Sequence, residues 1–221
     1  TTVFVGDNMD GSTLYSTACV YGGPTNTLDD CGNANSALAA GKGTAAGASF
    51  DIGNGFTAAV GYEGTGSTTA GLLTKEGDDA FGGQLTYTGD SYGASVTYAT
   101  IESSGADTVY WGLNGYWTPS DSGSVPSVSV GYEMGDPETA GAKDTSHFFV
   151  GLQWDEVGPG TFGAALGTTG HIEDGATEYY MYEAFYSYPI NDGMTVTPLV
   201  FVKEAAAADE TGIMVKTSFS F

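Results

Sequence analysis

The run His147-Phe148-Phe149-Val150-Gly151-Leu152-Gln153-Trp154-Asp155 sorts its side chains by parity. Phe148, Val150, Leu152 and Trp154 fall on one face; His147, Phe149, Gly151, Gln153 and Asp155 fall on the other. Side chains alternate across a β-strand, so this sorting predicts a strand with two unlike faces. The pattern continues outward. In 108–118, Val109, Trp111, Leu113, Gly115 and Trp117 oppose Tyr110, Gly112, Asn114, Tyr116 and Thr118. In 126–133, Val128, Val130 and Tyr132 oppose Ser127, Ser129, Gly131 and Glu133. In 211–221, Ile213, Val215, Thr217, Phe219 and Phe221 oppose Met214, Lys216, Ser218 and Ser220. The best helical candidate, Ala205–Ala208, is too short to hold a helix.

Extending the pattern predicts about twelve strands, at 2–6, 44–52, 56–63, 80–88, 93–101, 108–118, 126–133, 147–155, 161–168, 178–188, 194–203 and 211–221. Most run about 8 to 11 residues, against about 5–6 for soluble strands. A ten-residue strand spans about 33 Å, and a tilt near 40° brings it to about 25 Å, the apolar height of a membrane barrel. Connections at 53–55, 89–92, 119–125, 156–160 and 189–193 are short. They alternate with longer ones at 7–43, 64–79, 102–107, 134–146, 169–177 and 204–210. Of the 27 acidic residues, 17 fall in the longer connections, four in the short turns and six in strands. Short turns at one end and long loops at the other mark outer-membrane barrels.

Alternation alone does not say which face is wet. A sandwich buries its apolar face, whereas a membrane barrel turns it to lipid. The polar face here is mostly Gly, Ser, Thr, Ala, Gln and Asn. Aromatics gather near strand ends, at Trp117, Tyr132, Trp154, Tyr188 and Phe221, as interfacial girdles would place them. The expected fold is therefore all-β, an antiparallel transmembrane β-barrel. The rival is a non-channel acidic β-sandwich, or a surface-layer structural or binding protein. Dependence on detergent separates the two.

Charge excludes several classes. The 221 residues carry a formal charge of −22, with five Lys and no Arg. So acidic a chain repels nucleic acid, and it lacks the guanidinium fork that grips phosphate. The mean hydropathy is −0.08, and no run approaches the roughly 20 apolar residues of a transmembrane helix. There is no Gly-x-Ser-x-Gly elbow and no metal-ligand spacing, and His147 and His171 are the only histidines. Gly41-Lys42-Gly43-Thr44 reads as a glycine turn into a strand. The chain reads as non-enzymatic, without cofactor or metal. Asp7, Asn8 and Asp10 have the look of a calcium loop but lack its downstream Gly and Glu, so a surface turn is expected. Cys19 and Cys31, 12 apart in a Gly/Asn/Thr-rich loop, are expected to form a disulfide. The surrounding 7–43 segment is long enough to fold inward and narrow a pore, or to form an external lid or oligomer contact.

Parity also nominates lumen residues. Asp51, Glu63, Glu133, Asp155 and Glu183 fall on the small, polar face, with Lys203 and Lys216 as inward cations. Tyr110 and Tyr116 share that face. More carboxylates than ammoniums predict a modest cation preference. Glu63, Glu133 and Asp155 lie near strand ends, where keeping a mouth hydrated is an equal reading. Glu183 is mid-strand.

Several stretches resemble cyanobacterial outer-membrane porins of the carbohydrate-selective porin family. They are Tyr182–Glu204 (YEAFYSYPINDGMTVTPLVFVKE), Thr211–Phe221 (TGIMVKTSFSF), Trp111–Glu133 and His147–Gly167. The resemblance covers most of 44–221 and is weak in 7–43. It implies a 16-stranded trimeric barrel, of which these would be the last twelve strands. It also implies an N-terminal domain, absent here, that binds cell-wall polymer. Phe219 and Phe221 would then belong to the aromatic-ended strand that signals barrel assembly. The chain opens inside a strand, with no leader, and is expected to be part of a longer protein. The function so implied is passive diffusion of small hydrophilic solutes, inorganic ions and sugars, across the outer membrane.

Overall fold

A computed structural model describes residues 1–25, 28, 31, 43–64, 71–74, 77–103, 106–121 and 123–220. The strands are β1 (Thr2–Met9), β2 (Gly43–Gly53), β3 (Phe56–Gly64), β4 (Asp79–Thr88), β5 (Tyr92–Ser103), β6 (Ala106–Trp117), β7 (Ser127–Pro137), β8 (Thr145–Val157), β9 (Gly160–Thr168), β10 (Ile172–Glu173), β11 (Tyr180–Asn191), β12 (Met194–Lys203) and β13 (Glu210–Phe219). All but β10 follow one antiparallel path in which each strand pairs with the next. The expected all-β antiparallel fold is therefore the observed one. Among the described residues, β1 and β13 end this path as edges.

Local chemistry explains the ladder. Two residues, Asn54 and Gly55, connect β2 to β3 with φ of 54° and 83°. Positive φ at both central positions gives the tight hairpin turn that Asn-Gly favours. The β11–β12 ladder skips Pro198, which has no N–H to donate. Beside that gap, the Thr197 hydroxyl donates to the Ser187 hydroxyl at 3.1 Å.

The apolar parity is the exposed one. Val60 is 53% exposed, Trp111 46%, Leu113 50% and Val200 53%. Their opposite neighbours Ala59, Asn114 and Leu199 are buried. A β-sandwich would invert this, so the sheet forms a barrel wall with its apolar face outward. Aromatics line the outer rims: Phe56 pairs with Tyr87 at 5.0 Å and Trp154 with Phe162 at 5.6 Å between ring centres.

The segmentation needs correcting in several places. β5 and β6 run to Ser103 and from Ala106, so 102–107 is not a long loop; only 104–105 lies between the strands. Glu102 and Asp107, read as loop by their charge, pair across the ladder. The connection from β6 to β7 spans 118–126, so strict short–long alternation fails there. β7 continues to Pro137, which makes Glu133 a mid-strand residue rather than a terminal one. β11 continues through Pro189 to Asn191, leaving a two-residue turn. β10 had no counterpart in the periodicity; its two residues pair with Thr145 and Ser146 of β8.

Candidate functional site: an internal loop on the barrel wall

The segment leaving β1 turns inward and runs along the concave face. The Gly11 N–H donates to Glu63 Oε2 of β3 at 2.7 Å. The Ser16 N–H donates to Gln84 Oε1 of β4 at 2.6 Å, and the Thr86 hydroxyl returns a bond to the Ser16 carbonyl at 2.7 Å. The Ala18 N–H donates to Ser95 Oγ of β5 at 3.0 Å. Ser129 Oγ of β7 accepts from both Val20 and Tyr21, at 3.0 and 3.1 Å, using both lone pairs of the hydroxyl. The Gly22 N–H donates to Gln153 Oε1 of β8 at 3.0 Å. The segment thus crosses successive strands as a belt. Its amides, which no ladder satisfies, are met by wall side chains.

The far end of the belt is fixed at β11. The Tyr21 phenol donates to Glu183 Oε1 at 2.6 Å, and the Thr25 hydroxyl donates to Glu183 Oε2. Burial, then the Glu183 carboxylate, pushes the Tyr21 phenol well above its ordinary range; burial does the same for Tyr15. The Tyr21 ring packs against Phe149 and Phe185, with ring centres 5.4 and 5.6 Å away. Leu28, Cys31, Ala165, Met181 and Leu199 complete this buried cluster. Cys19 and Cys31 are joined by a disulfide, and Asn114 Nδ2 donates to the Cys31 carbonyl at 3.0 Å.

Glycines in the wall allow this close approach. A Cβ at Gly61 would stand 1.9 Å from the Gly11 carbonyl oxygen, and one at Gly131 would stand 1.9 Å from that of Cys31. Any side chain at either position displaces the belt.

The residues nominated from sequence divide into covered and open. Glu63, Glu133 and Glu183 are 5%, 0% and 4% exposed. Glu63 and Glu183 lie under the belt. Glu133 Oε1 is 3.0 Å from Nε2 of His171, whose ring lies edge-on to Tyr110 at 5.3 Å and stacks with His147 at 6.0 Å. Thr145 Oγ1 and His171 Nδ1 are 2.9 Å apart, and the His147 Nδ1–H donates to the Gly170 carbonyl at 3.2 Å. Asp51 and Asp155 are exposed at the short-turn end. Asp51 accepts from the Gly53 N–H at 2.8 Å, and Asp155 accepts from Gln153 Nε2 at 2.7 Å. The Tyr116 hydroxyl donates to the Gly89 carbonyl at 2.9 Å. Lys203 is half-buried opposite Glu210, and Lys216 is exposed opposite Thr197. Phe219 is 60% exposed near the end of β13; Phe221 lies outside the described residues. Asp7 and Asn8 are exposed, Asn8 at φ 57°, and Asp7 Oδ1 accepts from the Thr44 hydroxyl at 3.4 Å. Among the described residues no group of three or more His, Cys, Asp or Glu side chains is placed to hold a metal ion.

Sequence reading missed the belt's anchors, Gln84, Ser95, Asn114, Ser129 and Gln153. Their only signal was inward parity, which a wet pore wall shares. It also took the inward face as mostly small and polar. On β8, β11, β12 and β13 that face carries Phe149, Phe185, Leu199 and Met214, packed under the loop.

A meander of membrane-length strands, apolar outside and threaded by an inward loop, defines a porin-type barrel wall. Residues 2–203 match the family described as Gram-negative porin, and the chain belongs to that family. Solved structures share the fold. An anion-selective porin from Comamonas acidovorans superposes with a TM-score of 0.58 at 13% identity, over 80% of this chain and 55% of that one. A mutant of the Rh. blastica porin gives 0.54 at 18% identity, over the same shares. The chain thus spans about half the length of the solved porins it matches. No curated protein matches its sequence.

Proposed function

We propose that this chain forms the wall of an outer-membrane channel through which small hydrophilic solutes diffuse passively. The observation that carries the reading is the inverted exposure of the sheet. Strands of nine to thirteen residues (β2 to β9) turn Val60, Leu85, Trp111, Leu113 and Val130 outward. Such a face is stable against lipid and costly against water. Inorganic ions are the first solutes proposed; sugars follow from the sequence resemblance, with inward Tyr110 and Tyr116 as stacking surfaces. Asp51 and Asp155, the nominated acids open to solvent, support a weak cation preference. The same reading makes the protein a homotrimer of a cyanobacterial or other Gram-negative outer membrane. It contacts cell-wall polymer only through a domain outside this sequence, and Phe219 and Phe221 form its assembly signal.

The test is planar-bilayer recording in KCl with and without added sugars. Discrete conductance steps are expected, and sugar block identifies the carbohydrate case. A protein that is monodisperse without detergent and silent in the bilayer overturns the proposal.

A further inference from the structure

The belt carries no charge. Gly11 to Thr25 reads GSTLYSTACVYGGPT, without an acid or a base, in a chain whose formal charge is −22. Its two ends lie on two wall carboxylates. The Gly11 amide sits on Glu63 of β3, and the Tyr21 and Thr25 hydroxyls sit on Glu183 of β11. Both acids are nearly closed to solvent, at 5% and 4%. Because β3 and β11 are seven strands apart on the path, the two acids do not form one cluster.

We propose that the belt is an electrostatic shield that sets the channel's ion selectivity. This rests on the channel reading and goes beyond it: the loop determines which ions pass, not only how wide the passage is. A carboxylate facing an aqueous lumen draws cations along it. Under a neutral peptide, Glu63 with its Oε2 on the Gly11 amide and Glu183 with its oxygens on two hydroxyls are withheld from passing ions. With the belt docked, the nominated acids left open are Asp51 and Asp155 at the short-turn mouth, and the preference is weak. With the belt released, Glu63 and Glu183 face water and the channel becomes strongly cation-selective. Each kT of negative lumen potential so uncovered multiplies the cation-to-anion permeability ratio about sevenfold, since it raises one ion and lowers the other.

The experiment measures reversal potential across a planar bilayer in a KCl gradient. The wild-type chain is compared with C19S/C31S/Y21F, which loosens the belt, and with a variant lacking residues 12–24, which removes it. Each is compared again after adding Glu63→Gln and Glu183→Gln. Insertion is checked by recording conductance steps for every protein. The expected result is a severalfold rise in the permeability ratio on removing the belt, reversed by the two Gln substitutions. A larger conductance with an unchanged ratio overturns the shield and leaves a purely steric loop. A rise that survives both Gln substitutions also overturns it. Silence from every protein, wild type included, refutes the channel reading instead.

Discussion

Tyr21→Phe isolates one atom of the belt's far anchor. The ring contacts with Phe149 and Phe185 survive the change, and only the phenol oxygen is lost. That oxygen donates at 2.6 Å to Glu183, which is 4% exposed. A hydrogen bond to a charged group contributes about 1.5–3 kcal/mol, and the loss here sits at the upper end because the carboxylate left behind is buried. At about 1.4 kcal/mol per decade, the docked-to-released ratio of the belt falls roughly 10- to 150-fold. The Thr25 hydroxyl still holds Glu183 Oε2, so partial docking remains. The assay is limited proteolysis of the folded protein in detergent, following cleavage within 12–25 while the strands stay intact. A double-mutant cycle with Glu183→Gln then separates the pair from other effects of each change. A cleavage rate in Tyr21→Phe equal to that of the wild type, or a cycle with no coupling, would refute this account of the anchor.

Three further outcomes follow from the same geometry. Cys19→Ser with Cys31→Ser opens a loop of 12 residues, which costs the belt about 3 kcal/mol on the chain-entropy view; its cleavage accelerates, while thermal loss of β-sheet circular dichroism barely moves. Gly61→Ala and Gly131→Ala each place a methyl 1.9 Å from a belt carbonyl, so either expels its end of the belt; Gly83→Ala, whose added Cβ meets nothing nearer than 3.6 Å, leaves proteolysis unchanged. Alkaline titration at 295 nm should show Tyr15 and Tyr21 ionising after the exposed phenols. Their folded pKa lies above the unfolded value near 10, so their contribution is full below about pH 10 and is lost as pH rises through the folded value. Belt release above pH 10 that precedes their ionisation would contradict the assignment.

The fold was legible because a lipid-facing strand keeps a two-residue period along its apolar band. Val128, Val130, Tyr132 and Met134 must all meet lipid, and one misplaced charge is costly. Strand ends were less legible where the wall rises beyond the apolar band. Glu102 and Asp107 pair as strand residues above it, and their charge reads as loop. The site was barely legible. Ser95, Ser129 and Gln153 are what a hydrated lumen would carry, and only the path of residues 11–25 turns them into anchors. Glu183 was singled out for its mid-strand place, but no local pattern links it to Tyr21, 162 residues earlier. The apolar patch around Phe149 and Leu199 was hidden for the same reason: its partner is distant in sequence.

Between Ser16 and Gly22 the wall grips main-chain amides and a carbonyl more than belt side chains; the exceptions are Tyr21 and Thr17, whose hydroxyl accepts from Gln84 Nε2 at 3.3 Å. The instructions for where this segment lies are therefore written in the strands, in Gln84, Ser95, Ser129 and Gln153, and hardly at all in the segment itself. Ser16, which is exposed, is free to drift under mutation, while a single change at Gly131 on a distant strand is not tolerated. A heritable change in what passes through this barrel would arise more readily from its wall than from the loop that lies across it.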